Sequence, residues 1–204
     1  MESKVRDRTK RLHEANEKLR QLTLVDPLTH LNNRRYYHDY IATTADGYLR
    51  RLNRTMAGTE QRTLAADDAV MGIFLVDIDH FKQVNDTWGH AAGDTVLVAI
   101  TRLLKSIVRP EDFTVRWGGE EFLVILKNTS PEYLDRFARK VLTAVRHATI
   151  AVSNTNVVTR TCSIGYAQLP FNRSLPEFLT LEQTIKLADH ALYVAKQNGR
   201  DRAV

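Results

Sequence analysis

With one cysteine in 204 residues, Cys162, the chain can form no intrachain disulfide and no cysteine-built metal cluster. A reducing compartment suits it, and the thiol is expected to be a small core group. No stretch approaches the roughly 20 consecutive apolar residues that a bilayer-spanning helix needs. The charged N-terminus also lacks the apolar region of a signal peptide. The expectation is a soluble, cytoplasmic chain, whose full-length parent could carry a membrane anchor elsewhere. Five prolines and nine glycines leave no low-complexity tract, and no internal repeat is visible. Charge of one sign is scarce too. Of the net +5, residues 1–20 supply a surplus of three (seven Lys or Arg against four Asp or Glu), so only +2 remains for the rest. A basic nucleic-acid face has little to build on, and nucleic acid is not expected as a partner. What the chain has is ordinary globular material, 43% hydrophobic and 26% charged, enough for one core and an appendage.

The appendage is at the front. Val5, Leu12 and Leu19 recur every seven residues, with Ala15 and Leu22 three positions after the last two. This narrow stripe among Lys, Arg, Glu, Asn and Gln predicts a coiled-coil helix over 1–25, suited to pairing with a copy of itself; a lone amphipathic helix is the alternative. Asp26 and Pro27 end it, because proline restricts the residue before it and favours a new first turn. The division is therefore 1–25, a linker helix, and 26–204, one globular domain. Helical spacing resumes at Tyr36, Tyr37, Tyr40 and Ile41 and then fades into a polar stretch over 43–68, read as a long connection with some helix in it. Ile73–Val76 is an unalternating apolar run, as expected of a strand buried on both faces. A helix from about Asp94 follows, then strands Phe113–Trp117 and Glu121–Leu126 separated by little more than Gly118 and Gly119, a tight-hairpin signal. A helix over Pro131–His147, a strand over Val157–Leu169 and a closing helix over Leu181–Gln197, capped by Gly199, complete the pattern. Such alternation implies a sheet layered with helices.

Chemistry concentrates at two places. Asp77 and Asp79 end the first buried strand, where carboxylate oxygens suit a hard divalent cation; they are expected to alternate, so that only one faces a site. Glu120 and Glu121 sit on the glycine turn, a poor place for two adjacent acids unless they serve a ligand. If the two places meet, one Glu completes a metal site and the other takes a proton. Between them, Asn85 and Asp94 are of the types that read the guanine edge, and Lys82 with backbone N–H groups could receive phosphate.

The string DIDHFKQVNDTWGHAAGD, followed by RWGGEEF, resembles the signature of the GGDEF-domain family of diguanylate cyclases, with Glu at the third position of the glycine motif, a variant that family commonly uses. The opening DPLTHLNNRR is similar to the family's opening motif, except that His30 stands where glycine is usual. The ending ADHALYVAKQNGRDR is similar to its closing helix. The resemblance covers about Asp26 to Arg202.

It implies an α/β fold like that of nucleotidyl cyclases and polymerase palms, a mostly antiparallel central sheet flanked by helices. It implies condensation of two GTP into cyclic di-GMP with release of two pyrophosphates. Asp77, the Ile78 carbonyl and Glu120 would hold magnesium, or manganese in its place, and Glu120 or Glu121 would help deprotonate the attacking 3′-hydroxyl. Asn85 and Asp94, with His90 nearby, would recognise guanine. His80, Phe81, Lys82, Lys196 and Arg200 would receive the phosphates, the last two on one face of the closing helix. Arg109 and Asp112 match the family's R-x-x-D inhibitory site for cyclic di-GMP; an ordinary turn salt bridge at Pro110 is the plainer reading. One domain binds one GTP, so a homodimer through the N-terminal helix is expected, with the upstream sensor outside this chain. The alternative is a non-catalytic receptor for GTP or cyclic di-GMP that signals through the helix. Use of ATP beside GTP stays open.

Overall fold

A computed structural model describes residues 24–56 and 70–204. The helix expected over 1–25 lies outside the described residues except for its last two positions, and these are not helical: Leu24 is in a bend and Val25 in an isolated β-bridge, both already touching the domain. The Asn33 N–H donates to the Leu24 carbonyl at 2.9 Å, and Val25 bridges Asn32.

One carboxylate organises the entry turn. Asp26 accepts from the Thr29 N–H at 2.8 Å and from its hydroxyl at 2.6 Å, while the His30 N–H donates to the Asp26 carbonyl at 2.9 Å. Strand β1 (Asn32–Asn33) follows, and the Asn33 side chain caps helix α1 (Arg34–Tyr36) by accepting from the Arg35 and Tyr36 N–H groups. A π-helical stretch (Tyr37–Ile41) leads into α2 (Ala42–Met56). More of the polar stretch is thus helical than its sequence suggested: among the described residues only Ala45, Tyr48 and Leu49 are fully buried there, with Leu52 partly so, too narrow a stripe to read among so many polar residues.

Strand β2 (Val70–Ile78) is buried at all nine positions, which explains its unalternating apolar run. Helices α3 (Phe81–Trp88) and α4 (His90–Ile107), strands β3 (Phe113–Gly118) and β4 (Glu121–Thr129), and helix α5 (Pro131–Arg146) follow. A small separate pair, β5 (Ile150–Ala151) and β6 (Val157–Val158), precedes β7 (Cys162–Leu169) and the closing helix α6 (Leu181–Gln197). The main sheet runs β1-β3-β4-β2-β7 and is antiparallel except between β1 and β3. Phe74, Val76 and Ile78 face one core with Val96 and Ile100 of α4 and Phe137 and Val141 of α5. Met71, Ile73 and Leu75 face a second core with Tyr37, Ile41 and, from α6, Ile185, Ala188 and Leu192. The result is the mixed, mostly antiparallel sheet flanked by helices that the sequence implied. Cys162 is buried in the first core, which pushes its thiol pKa far up.

Several boundaries differ from the sequence reading. The run Val157–Leu169 is two strands in two different sheets, because Val157 and Val158 pair with Ala151 and Ile150 and the chain must cross through 159–161 before joining β2. The segment between Asp79 and Asp94, to which the sequence pattern assigns no element, holds α3 and the first turn of α4, so that α4 starts at His90 and not near Asp94; the two are divided at Gly89, whose φ of +79 suits glycine. Helix α6 closes as predicted at Gly199 (φ +103), with the Gly199 N–H on the Lys196 carbonyl and the Arg200 N–H on the Ala195 carbonyl. Arg200 consequently lies past the helix, at φ +61, and does not share a helix face with Lys196. Among the described residues no helix is long and apolar enough to cross a membrane.

Candidate active site

Asp77, next to last in β2, stands directly opposite Glu121 of β4 and Ser163 of β7. Strand parity turns it toward the α6 side of the sheet, with Ile73 and Leu75. There the Lys196 ammonium lies 2.7 Å from its Oδ2. Asp77 is only 6% exposed. Burial pushes its pKa above the usual carboxylate range, Lys196 pulls it back, and the nearby Glu120 and Asp79 charges push it up again. Burial and then the Asp77 charge likewise raise Glu121, against the pull of Lys196. Acidic groups are thus crowded here at some cost in stability.

Glu121 makes the cost measurable. A carboxyl raised in the folded state stabilises the protein fully only below its unfolded pKa, and that contribution is lost as pH rises through the folded value. Glu121→Gln is therefore expected to melt higher than the parent at pH 7. The gap should close below about pH 4, where the parent's carboxyl is protonated in both states; thermal melts across pH check this, and a lower melting temperature at pH 7 contradicts it.

Asp79 is separated from Asp77 by its partners, not by alternation. Positions two apart share a face of an extended chain, so the expected alternation does not hold. Instead the Asp79 carboxylate is fully engaged: the Thr161 and Ser163 hydroxyls donate to it at 2.7 Å each, and the Asp201 N–H at 3.1 Å. It pins the segment after α6, and with it Arg200, to the end of β2.

In the hairpin, Gly118 is still in β3 opposite Glu121, so the two central turn residues are Gly119, at φ +47, and Glu120. Glu120 is therefore carried at the tip, and its carbonyl receives the Ile78 N–H at 3.4 Å. Arg116, which the sequence did not single out, clamps this turn. Its Nε and Nη2 donate to the Gly119 carbonyl at 3.2 and 2.9 Å, and its Nη1 donates to both oxygens of Asp26 at 3.0 and 3.1 Å. Burial would raise the Asp26 pKa, but Thr29 and Arg116 outweigh it and hold that carboxyl below its ordinary value. The opening DPLT and the RWGG segment are thus one structural unit, 90 residues apart in sequence.

On the other side of the strand end, His80 takes φ +56 and starts α3. Phe81 is buried, Lys82 exposed, and their N–H groups belong to the first helical turn, where amides have no intrahelical acceptor. A Cβ on Gly93 would fall on the Asn85 Oδ1, so the bare backbone of α4 is what lets that amide lie beside it. Asp94 follows at once and lines a cavity of about 640 Å³ with Leu28, Val98 and Arg102. His90 opens α4 and is exposed. Among the described residues no three His, Cys, Asp or Glu side chains gather closely enough to form a ready metal site.

The sequence profile described as "Diguanylate cyclase, GGDEF domain" matches residues 23–202. The chain belongs to this family. It is 34% identical over 187 residues to Diguanylate cyclase A of Treponema denticola, covering 92% of this chain and 45% of that protein. The coiled coil and GGDEF domain of DgcB from Caulobacter crescentus, solved with c-di-GMP, superposes with a TM-score of 0.69 at 27% identity, covering 100% of this chain and 97% of that one. The active GGEEF domain of a diguanylate cyclase from Vibrio cholerae gives 0.66 at 26%, covering 85% and 95%. The chain spans between about a third and slightly under half of the length of the curated relatives it matches.

Within this GGDEF domain, Arg109 and Asp112 sit away from the strand end, on the turn after α4, and both line a second cavity of about 400 Å³. Asp112 accepts from the Lys127 N–H at 2.8 Å, and the Arg109 guanidinium lies 5.9 Å from the centre of the Tyr133 ring. Among the described residues no ion pair joins the two, so the plain turn salt bridge is not what this motif makes. Burial raises Asp112, and hydrogen bonding from the backbone at Lys127 and Arg109 only partly offsets it.

Proposed function

We propose that this domain is a diguanylate cyclase of the GGEEF type, condensing two GTP into cyclic di-GMP. One observation carries the reading: Glu121 faces Asp77 across the β2–β4 ladder, Glu120 stands at the adjoining turn, and Lys196 is 2.7 Å from Asp77. The donors Asp77, Glu120 and the Ile78 carbonyl are all hard oxygens, and their mutual repulsion is relieved by a dication, so they fit magnesium or manganese. When bound, the ion would polarise the α-phosphate and neutralise the leaving charge.

The chain's own groups supply the rest. Glu120 or Glu121 takes the proton of the 3′-hydroxyl, whose oxygen forms the new bond to the α-phosphorus of the second GTP while the bond to the pyrophosphate oxygen breaks. A second such step closes the ring and frees a second pyrophosphate. The amides of His80, Phe81 and Lys82, with the Lys82, Lys196 and Arg200 cations, receive phosphate oxygens. Asn85 and Asp94, with His90 beside them, read guanine. Two domains must face each other, and the heptad helix of 1–25 would hold the pair together, with 26–204 as the catalytic unit. The nucleotide substrate puts the domain on the cytoplasmic side. Arg109 and Asp112 would bind the product and restrain the enzyme.

Purified protein incubated with GTP and magnesium, with product identified by mass, tests this directly. Cyclic di-GMP and pyrophosphate in a 1:2 ratio are expected; nucleotide binding without turnover would instead mark a receptor. Gly93→Ala offers a finer check. Its methyl displaces the free end of Asn85, so the KM for GTP is expected to rise about tenfold, the value of one good polar contact. The melting temperature should fall only modestly, since the end of Asn85 yields and the Phe81 ring, 3.1 Å from the added carbon, has to shift slightly; an unchanged KM would remove Asn85 from the guanine site.

A further inference from the structure

The cavity beside Arg109 and Asp112 is also lined by His30, Asn32, Lys105 and Thr114. His30 comes from the entry turn and Lys105 from the last turn of α4, and they meet because the Lys105 ammonium donates to the His30 carbonyl at 3.2 Å. An ammonium has three donors, so two remain to point elsewhere. His30 holds a left-handed backbone, φ +52, which glycine would adopt freely, and it thereby brings an imidazole to the cavity wall. The one acid on that wall, Asp112, already has Oδ1 committed to the Lys127 N–H. Two fixed cations and an imidazole thus face a space with a single engaged carboxylate, which favours an anionic ligand.

We propose that His30 and Lys105 form a phosphate subsite of this cavity, taking a phosphodiester of a bound cyclic dinucleotide. The proposal rests on reading the Arg109–Asp112 cavity as the product site. The ammonium and the ring N–H approach the phosphate from the opening turn and α4, so an occupied subsite would tie these two elements together through the ligand.

Calorimetric titration of cyclic di-GMP into the whole chain tests it, using the parent, Lys105→Gln, His30→Gly and Arg109→Ala. Lys105 is exposed and His30→Gly suits the left-handed backbone, so both variants should fold, as melts will verify. Lys105→Gln is expected to weaken binding about tenfold, the effect of losing one charge-assisted contact, with the difference shrinking at high salt. His30→Gly should weaken it several-fold. Loss of binding in Arg109→Ala alone, with the other two at parent affinity, would overturn the subsite and leave the product site standing. Unchanged binding in Arg109→Ala with loss in Lys105→Gln would support the subsite while unseating Arg109. Pyrophosphate binding the parent as tightly as cyclic di-GMP, or no binding of cyclic di-GMP at all, would overturn the proposal outright.

Discussion

Asp77→Asn and Glu120→Gln are each expected to lower cyclic di-GMP synthesis by about 10³-fold or more, the usual scale when a charged group that stabilises a phosphoryl-transfer transition state is removed. The two substitutions act differently on the protein itself. Glu120 is at a turn tip, so the amide is tolerated and the melt should hardly change. Asp77 is buried and paired, and its replacement removes the carboxylate that pairs with the Lys196 ammonium, leaving Lys196 the weaker pull of Glu121. Lys196 is a long side chain, 31% exposed, and can swing to solvent, while the Asp77 charge is itself held against burial and its acidic neighbours, so no large loss of stability is expected. Steady-state turnover beside thermal melts separates the effects: an inactive, folded Glu120→Gln supports the assignment, and a near-normal rate from either variant refutes it.

Gly165→Ala is expected to damage the whole domain. Strand β7 and helix α6 approach so closely at this residue that an added Cβ would fall on the Ala188 carbonyl oxygen and the Leu192 nitrogen. Both are backbone atoms of a buried helix face, so no side chain can yield and α6 must move away from the sheet. A loss of about 3 kcal/mol or more is expected for such overpacking, or a fall of roughly 6–12 °C in melting temperature for a domain of this size. Turnover should fall as well, because α6 carries Lys196 to Asp77. Gly47→Ala is the internal control: nothing lies within 4 Å of the added carbon on α2, and alanine is the better helix former. A Gly165→Ala protein that melts with the parent would contradict the packing argument.

These expectations divide along the line between local and long-range information. The run 73–76 is legible as a doubly buried strand because its neighbours on both faces demand apolar side chains at every position. The glycine turn is legible because Gly119 needs φ +47. The cap at Gly199 and the closing helix follow from short-range spacing in the same way, whereas the R-x-x-D pair is read from the family resemblance. By contrast, the helix over 42–56 is obscured by its polar surface, and the break after Val158 is obscured because two valines read as strand whichever sheet they join.

The residue types available for chemistry, the strand that ends in Asp77, the acidic glycine turn and the family to which both belong are written in the chain. Which of them meet is a matter of the fold. It set Glu121 opposite Asp77, gave Asp77 to Lys196, withdrew Asp79 into bonds with Thr161, Ser163 and Asp201, and joined Asp26 to the Gly119 carbonyl through Arg116. Hydrogen bonds and ion pairs depend on distances of about 3 Å, and residues 82 to 122 positions apart acquire such distances only when the sheet register and the packing of α6 against β7 bring them together.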